Sequence, residues 1–215
     1  MYLPKQFNHP EHAATIMREH PFASLVTTDD SGFPFVTHLP LKLLEEGGQP
    51  AHILGHCARG NPLWGYLQQR PQALACFLGP QAYMSPKVYS DLQRVPTWCY
   101  LAVQVRVEAR LLEGDEAKDA MLKQLIADHE PSYAEQWRSL PEDYTGKMLQ
   151  AITAFELRVI DLQCSVKLNQ HRPEAHAAMH QAYSAGNAQA QSLAQWMKRL
   201  GMVGATTTHT GCAWR

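Results

Sequence analysis

Within the strand-like run from Tyr100 to Leu112 the chain alternates with a period of two, Val103, Val105 and Val107 against Gln104, Arg106 and Glu108. Only a pleated strand puts every second residue on one face, so this stretch must lie in a sheet with one side buried and the other in contact with polar surroundings. The remaining segments have to build that sheet. Phe22 to Thr28 is rich in strand formers, Asp29-Asp30-Ser31-Gly32 carries tight-turn residues, and Phe33 to Leu39 returns as the second arm of a hairpin. Ala51 to His56 and Ala73 to Leu78 read as further strands. At 215 residues the chain is long enough to bury a substantial core. The first 112 residues are expected to form an antiparallel barrel with one inserted helix, Leu63 to Arg70, opened by Asn61 as N-cap and Pro62 at the first helical position.

Beyond Gly114 the period changes. Met121, Leu122, Leu125 and Ile126 share one face of an expected helix from Ala117 to His129, and Tyr144 to Ile152 suggests another. Phe155 to Leu162 alternates again and is expected to rejoin the sheet. Pro173 to Tyr183 and Gln189 to Leu200 read as helices, with Gly201 as the stop. The fold class is therefore mainly β with added helices, α+β. The expected organisation is a barrel domain over 1–170, C-terminal helices over 171–204 and a loose tail over 205–215.

Nineteen basic and twenty acidic residues give a net charge of −1, so no global field concentrates nucleic acid, although a local basic patch stays open. The opening Met1-Tyr2-Leu3-Pro4-Lys5-Gln6 has neither the basic region nor the apolar stretch of a signal peptide, and no run reaches the length of a membrane span. A cytoplasmic location is the expectation. The five cysteines, Cys57, Cys76, Cys99, Cys164 and Cys212, include no Cys-x-x-Cys pair and read as reduced thiols.

The chemistry-bearing residues gather where strand-like runs end. His56, Arg59 and Asn61 flank the start of the inserted helix, and a guanidinium beside a helix N-terminus makes a seat for phosphate oxygens. The plainer alternative is that Arg59 faces solvent and Asn61 only caps. Thr37 and His38 close the second strand and could bond phosphate, ribityl hydroxyls or a flavin ring edge. Tyr83, Tyr89, Trp98 and Tyr100 could flank a planar ring or fill the core. A metal centre is not expected: His52 and His56, four apart in a strand, stand about 13 Å from each other, and His176-Ala177-Ala178-Met179-His180 lacks the glutamate of the zincin pattern. No Gly-x-Gly-x-x-Gly, Walker loop or Gly-x-Ser-x-Gly elbow occurs.

Taken in order, Met1 to Phe7, His20 to Ala23, Thr37 to Leu41, Gly55 to Trp64, Gly79 to Pro86, Val95 to Val103 and Lys167 to Gln170 closely resemble the PaiB-like family of FMN-binding negative transcriptional regulators. The resemblance implies an FMN-binding split barrel, antiparallel, forming a homodimer with FMN at the subunit interface. It implies that His56, Arg59 and Asn61 grip the FMN phosphate and that Thr37, His38 and Leu39 run beside the ribityl chain and ring. Ser85 and Lys87 would lie near the same cofactor, with Thr97 and Trp98 on its other flank, and Lys167 and Gln170 are also expected among the cofactor-binding residues. The function implied is that of a flavin-dependent sensor or regulatory module, and the alternative is a flavin reductase or oxidoreductase using NAD(P)H. Whether the chain is an enzyme stays open, with no paired acid and base in view. Direct DNA contact has little support, because the last helix offers only Lys198 and Arg199 to phosphates. The chain departs from the family pattern at Lys87-Val88, at Cys99 in place of asparagine, at Thr153-Ala154 in place of valine-glycine, and within Leu168-Asn169-Gln170-His171-Arg172.

Overall fold

The computed structural model describes residues 1–91 and 93–204; the expected tail over 205–215, with Cys212, lies outside the described residues. Seven strands form one sheet: β1 Phe22–Thr28, β2 Pro34–Pro40, β3 Lys42–Glu46, β4 Gln49–Ala58, β5 Gln72–Met84, β6 Thr97–Leu112 and β7 Ile152–Lys167. Their order is β2-β1-β5-β6-β7-β4-β3. The sheet is open, which corrects the expectation of a barrel.

The reason lies in its two edges. Pro34 and Pro40 deprive β2 of ladder donors at both ends, so this strand pairs only with β1, from Phe22↔Pro40 to Thr28↔Pro34. At the other edge β3 has five residues, and its ladder with β4 is interrupted by an irregularity between Leu44 and Glu45. The two edge strands follow one another in the chain, separated only by Leu41, yet no ladder joins them. Strand periodicity shows which segments pair into a sheet; it does not show whether the last edge finds the first.

The chain packs as two units. The first comprises Met1–Leu3, Asn8–Gly79 and Ala102–Ser165. The predicted hairpin is present there, its turn tied by Asp29 Oδ1, which accepts from Ser31 N at 2.8 Å, Ser31 Oγ at 2.7 Å and Phe33 N at 2.9 Å. Those bonds hold the Asp29 carboxyl below its ordinary pKa, the Ser31 hydroxyl contributing most. The core of this unit gathers Leu25, Leu41, Ile53, Phe155 and Leu157, all essentially inaccessible, with Val103, Val105 and Val107 of β6 facing inward as their alternation requires. On β4, Leu54 packs with Ala154 and with Met121 and Leu125 of α3, Asp115–His129. That explains why consecutive residues of β4 are buried. Helices α1 Ala13–Glu19, α2 Leu63–Gln69, α4 Tyr133–Ser139 and α5 Glu142–Gln150 complete the unit.

The second unit comprises Pro4–Phe7, Pro80–Leu101 and, among the described residues, 166–204. Its helices are α6 His176–Ser184 and α7 Ala188–Arg199. The α7 start is capped by Asn187, whose side chain accepts from Ala190 N at 3.0 Å. Its end is a Schellman motif: Gly201 at φ +67 donates to Lys198 O at 3.0 Å and Met202 to Met197 O at 2.9 Å. Met179, Leu193 and Met197 of these helices are fully buried.

Candidate functional site

In the first unit, Ala58-Arg59-Gly60-Asn61 forms a tight turn closed by Asn61 N donating to Ala58 O at 2.9 Å. Arg59 N donates to Ala151 O at 2.7 Å, which anchors the turn to the start of β7. Two contacts then orient the exposed Arg59 side chain. The guanidinium stacks over the Trp64 ring, 4.4 Å from its centroid, and Nη1 donates to Thr153 Oγ1 at 3.3 Å. Trp64 Nε1 donates to the Arg59 carbonyl at 2.9 Å, so one side chain holds both ends of the arginine. A guanidinium carries five N–H donors in a planar fork. Only one is used by Thr153.

Asn61 is joined to one other predicted residue, Thr37. Its Nδ2 donates to Thr37 Oγ1 at 3.4 Å, while its Oδ1 accepts from Leu63 N at 2.9 Å. Helix α2 therefore begins at Leu63 with Pro62 as its cap residue, one position later than the sequence pattern suggests. Its first donor is already engaged, Leu63 N by Asn61. The positive character of this turn comes from Arg59 more than from the seven-residue helix.

His56 stands opposite Ala154 in the β4–β7 ladder, and Cys57 stands opposite Thr153. The His56 Nδ1 is buried and has no hydrogen-bond partner among the described residues. Burial lowers the pKa of the ring, which keeps it neutral and able to donate or accept one bond from a ligand. His38, exposed on β2, pairs with Ser24 across the β1 ladder, and its Nδ1 lies 3.0 Å from Ser24 Oγ. The Phe22 ring lies 6.4 Å away, tilted. Leu39 is buried, so its backbone alone is available for contact.

The other predicted residues fall in the second unit. Lys167 Nζ donates to Thr97 Oγ1 at 2.9 Å and lies 5.8 Å from the Tyr100 ring centroid. Gln170 accepts from Leu168 N at 2.9 Å and donates to the Val166 carbonyl, clasping the corner that follows β7. Asn169 within that corner holds φ +63, a left-handed conformation fixed by its Nδ2 bond to Tyr89 Oη at 2.8 Å. Ser85 Oγ accepts from Lys87 N at 3.2 Å, a local cap that leaves the Lys87 side chain exposed. Trp98 is half exposed, its indole N–H on Gln81 Oε1 and its ring edge toward Tyr83 at 6.3 Å. Cys99 is fully buried, and burial raises its thiol pKa, which favours the protonated thiol.

Sequence reasoning missed Trp64 and Thr153 as partners of Arg59, and Ser24 as the partner of His38. A signal existed for Thr153, since a hydroxyl stands there in place of the family's valine.

The sequence pattern of a family described as "Putative FMN-binding domain" matches residues 1–161. The protease synthase and sporulation protein PAI 2 of Bacillus subtilis is 32% identical over 205 residues, covering 92% of this chain and 97% of the relative. Among solved structures, the flavocytochrome Anf3 from Azotobacter vinelandii aligns with TM-score 0.59 at 17% identity, over 76% of this chain and 71% of that one. The FAD and heme binding protein from Mycobacterium smegmatis aligns with TM-score 0.57 at 16% identity, over 74% and 71%. At such identities the two structures speak to the fold alone.

Proposed function

Because the chain belongs to the PaiB-like, FMN-binding family, we propose that its flavin is FMN and that the phosphate is held at Arg59. The observation that carries this reading is the exposed guanidinium braced between Trp64 and Thr153, with most of its donors uncommitted. A phosphate dianion is best met by such a fork, and the bracing reduces the rotamer entropy lost on binding. His56, with a buried ring nitrogen unpartnered among the described residues, on the strand that leads into this turn, fits a second contact. Thr37 and Asn61, joined by their own hydrogen bond, and His38, steadied by Ser24, present neutral groups suited to ribityl hydroxyls or a ring edge. FMN when bound supplies hydride or electron chemistry; these residues bind and orient it. Ser85, Lys87, Thr97, Trp98, Lys167 and Gln170 enter the reading through the family resemblance.

The output of the bound flavin is regulatory in this proposal. The Bacillus subtilis relative is named for protease synthesis and sporulation. The active species is a homodimer, supported by exposed apolar side chains on strands, Val36, Leu78 and Ile160 among them. Stopped-flow mixing of the FMN-loaded protein with NADPH or NADH separates the two outputs. Flavin that stays oxidised fits the regulatory reading, whereas rapid reduction with turnover makes the protein a reductase. Light scattering at twice the 24.2 kDa chain mass fits the dimer; a strict monomer refutes it.

A further inference from the structure

At the start of the first unit's main segment, the chain reads His9-Pro10-Glu11-His12. Pro10–His12 forms a single 3-10 turn, closed by His12 N donating to His9 O at 3.1 Å. In that geometry residues three apart eclipse one another, so His9 and His12 project from one side with Glu11 beside them. Their ligand atoms, one from each residue, all lie within 4.8 Å of one another. His9 Nδ1 is 3.0 Å and His12 Nε2 3.9 Å from the same Glu11 oxygen.

We propose that His9, Glu11 and His12 form a binding site for one divalent zinc-class ion. Two imidazoles and a carboxylate are a common zinc donor set. Bonds of about 2.0–2.2 Å in tetrahedral geometry place neighbouring ligand atoms about 3.4 Å apart, and the two measured edges bracket that value. Only small side-chain rotations are required. The ring-bearing side chains are partly buried, at 28% and 29% exposure, while Glu11 is open at 59%, which leaves solvent room for a water as fourth ligand. The backbone is held in advance: Pro10 fixes the turn, His9 N donates to Cys164 O at 3.0 Å, and Asn8 bridges Ser165 at the far end of β7. An ion here would fasten the N-terminal turn against β7. This site is independent of the flavin reading.

The test uses untagged full-length protein and Zn²⁺, by calorimetry and by thermal unfolding with and without the ion. One Zn²⁺ per chain and a raised Tm are expected. His12→Ala and Glu11→Gln should each weaken binding ~10-fold or more, since loss of even an outer partner of a metal ligand costs that much. Both variants should unfold like the wild type without metal, which separates lost ligation from lost folding. Replacement by Co²⁺ should give the intense visible bands of a tetrahedral ion in wild type and not in the variants. The proposal is overturned if no stoichiometric binding occurs, or if affinity survives in the His9→Ala, His12→Ala double variant. It is also overturned if affinity falls instead with His52→Ala, whose ring lies between Glu46 and Glu156.

Discussion

Replacing Arg59 by alanine should weaken FMN far more than riboflavin, because the two ligands differ only in the phosphate. In the protein without ligand, Arg59 makes one long bond to Thr153 at 3.3 Å and a stacking contact on Trp64 at 4.4 Å. Stacking of this kind contributes about 0.5–1 kcal/mol at exposed sites. It is present with either ligand or none, so it cancels from the comparison. What remains is the guanidinium–phosphate contact, about 1.5–3 kcal/mol net for bonds to a charged group. That corresponds to a loss of roughly 10- to 150-fold in FMN affinity, with riboflavin changed by less than about 2-fold. Flavin fluorescence during titration of the apoprotein reports both values. Thr153→Val, which removes the competing acceptor and restores the family's usual residue, should leave FMN within about 3-fold of wild type. Equal losses of FMN and riboflavin in Arg59→Ala, or no loss of either, would refute the assignment of the phosphate to this turn.

Two further outcomes follow from packing and burial. Gly55→Ala should destabilise the first unit by about 2 kcal/mol through overpacking. An added Cβ would stand 2.6 Å from Leu41 Cδ2 and 2.7 Å from Phe155 Cε2, and Phe155 is fully buried; a lower urea midpoint at unchanged m value checks it. Burial pushes the Cys57 thiol up to about 11 and the Cys164 thiol up to about 12, against an ordinary 9.0. The folded state then holds these protons more tightly than the unfolded one. The thiols' contribution to stability should be constant below pH 9 and be lost as pH rises from 9 through 11 and 12, a slope that Cys57→Ala should reduce.

The sheet elements were legible because their information is local. The alternation of β6 continues to Cys99 and Leu101 as buried positions, and the Gly201 stop is a Schellman motif in the structure. Strand β3 was missed because Lys42-Leu43-Leu44-Glu45-Glu46 does not alternate, although Gly47-Gly48, both at positive φ, carried the hairpin signal. The barrel expectation failed on a property that no single strand carries, the pairing of two edges. At the candidate site the residue types around Arg59 could be read from the chain. Its bracing could not, since Thr153 lies 94 positions away and only the β4–β7 register brings it opposite Cys57.

The central claim is tested most directly by identifying the flavin that accompanies the purified protein. Denaturing release followed by chromatography against FMN, FAD and riboflavin standards, with quantitation per chain, is predicted to give FMN at close to one per chain. FAD as the bound species, or failure of the apoprotein to take up FMN when it is supplied, would contradict the account.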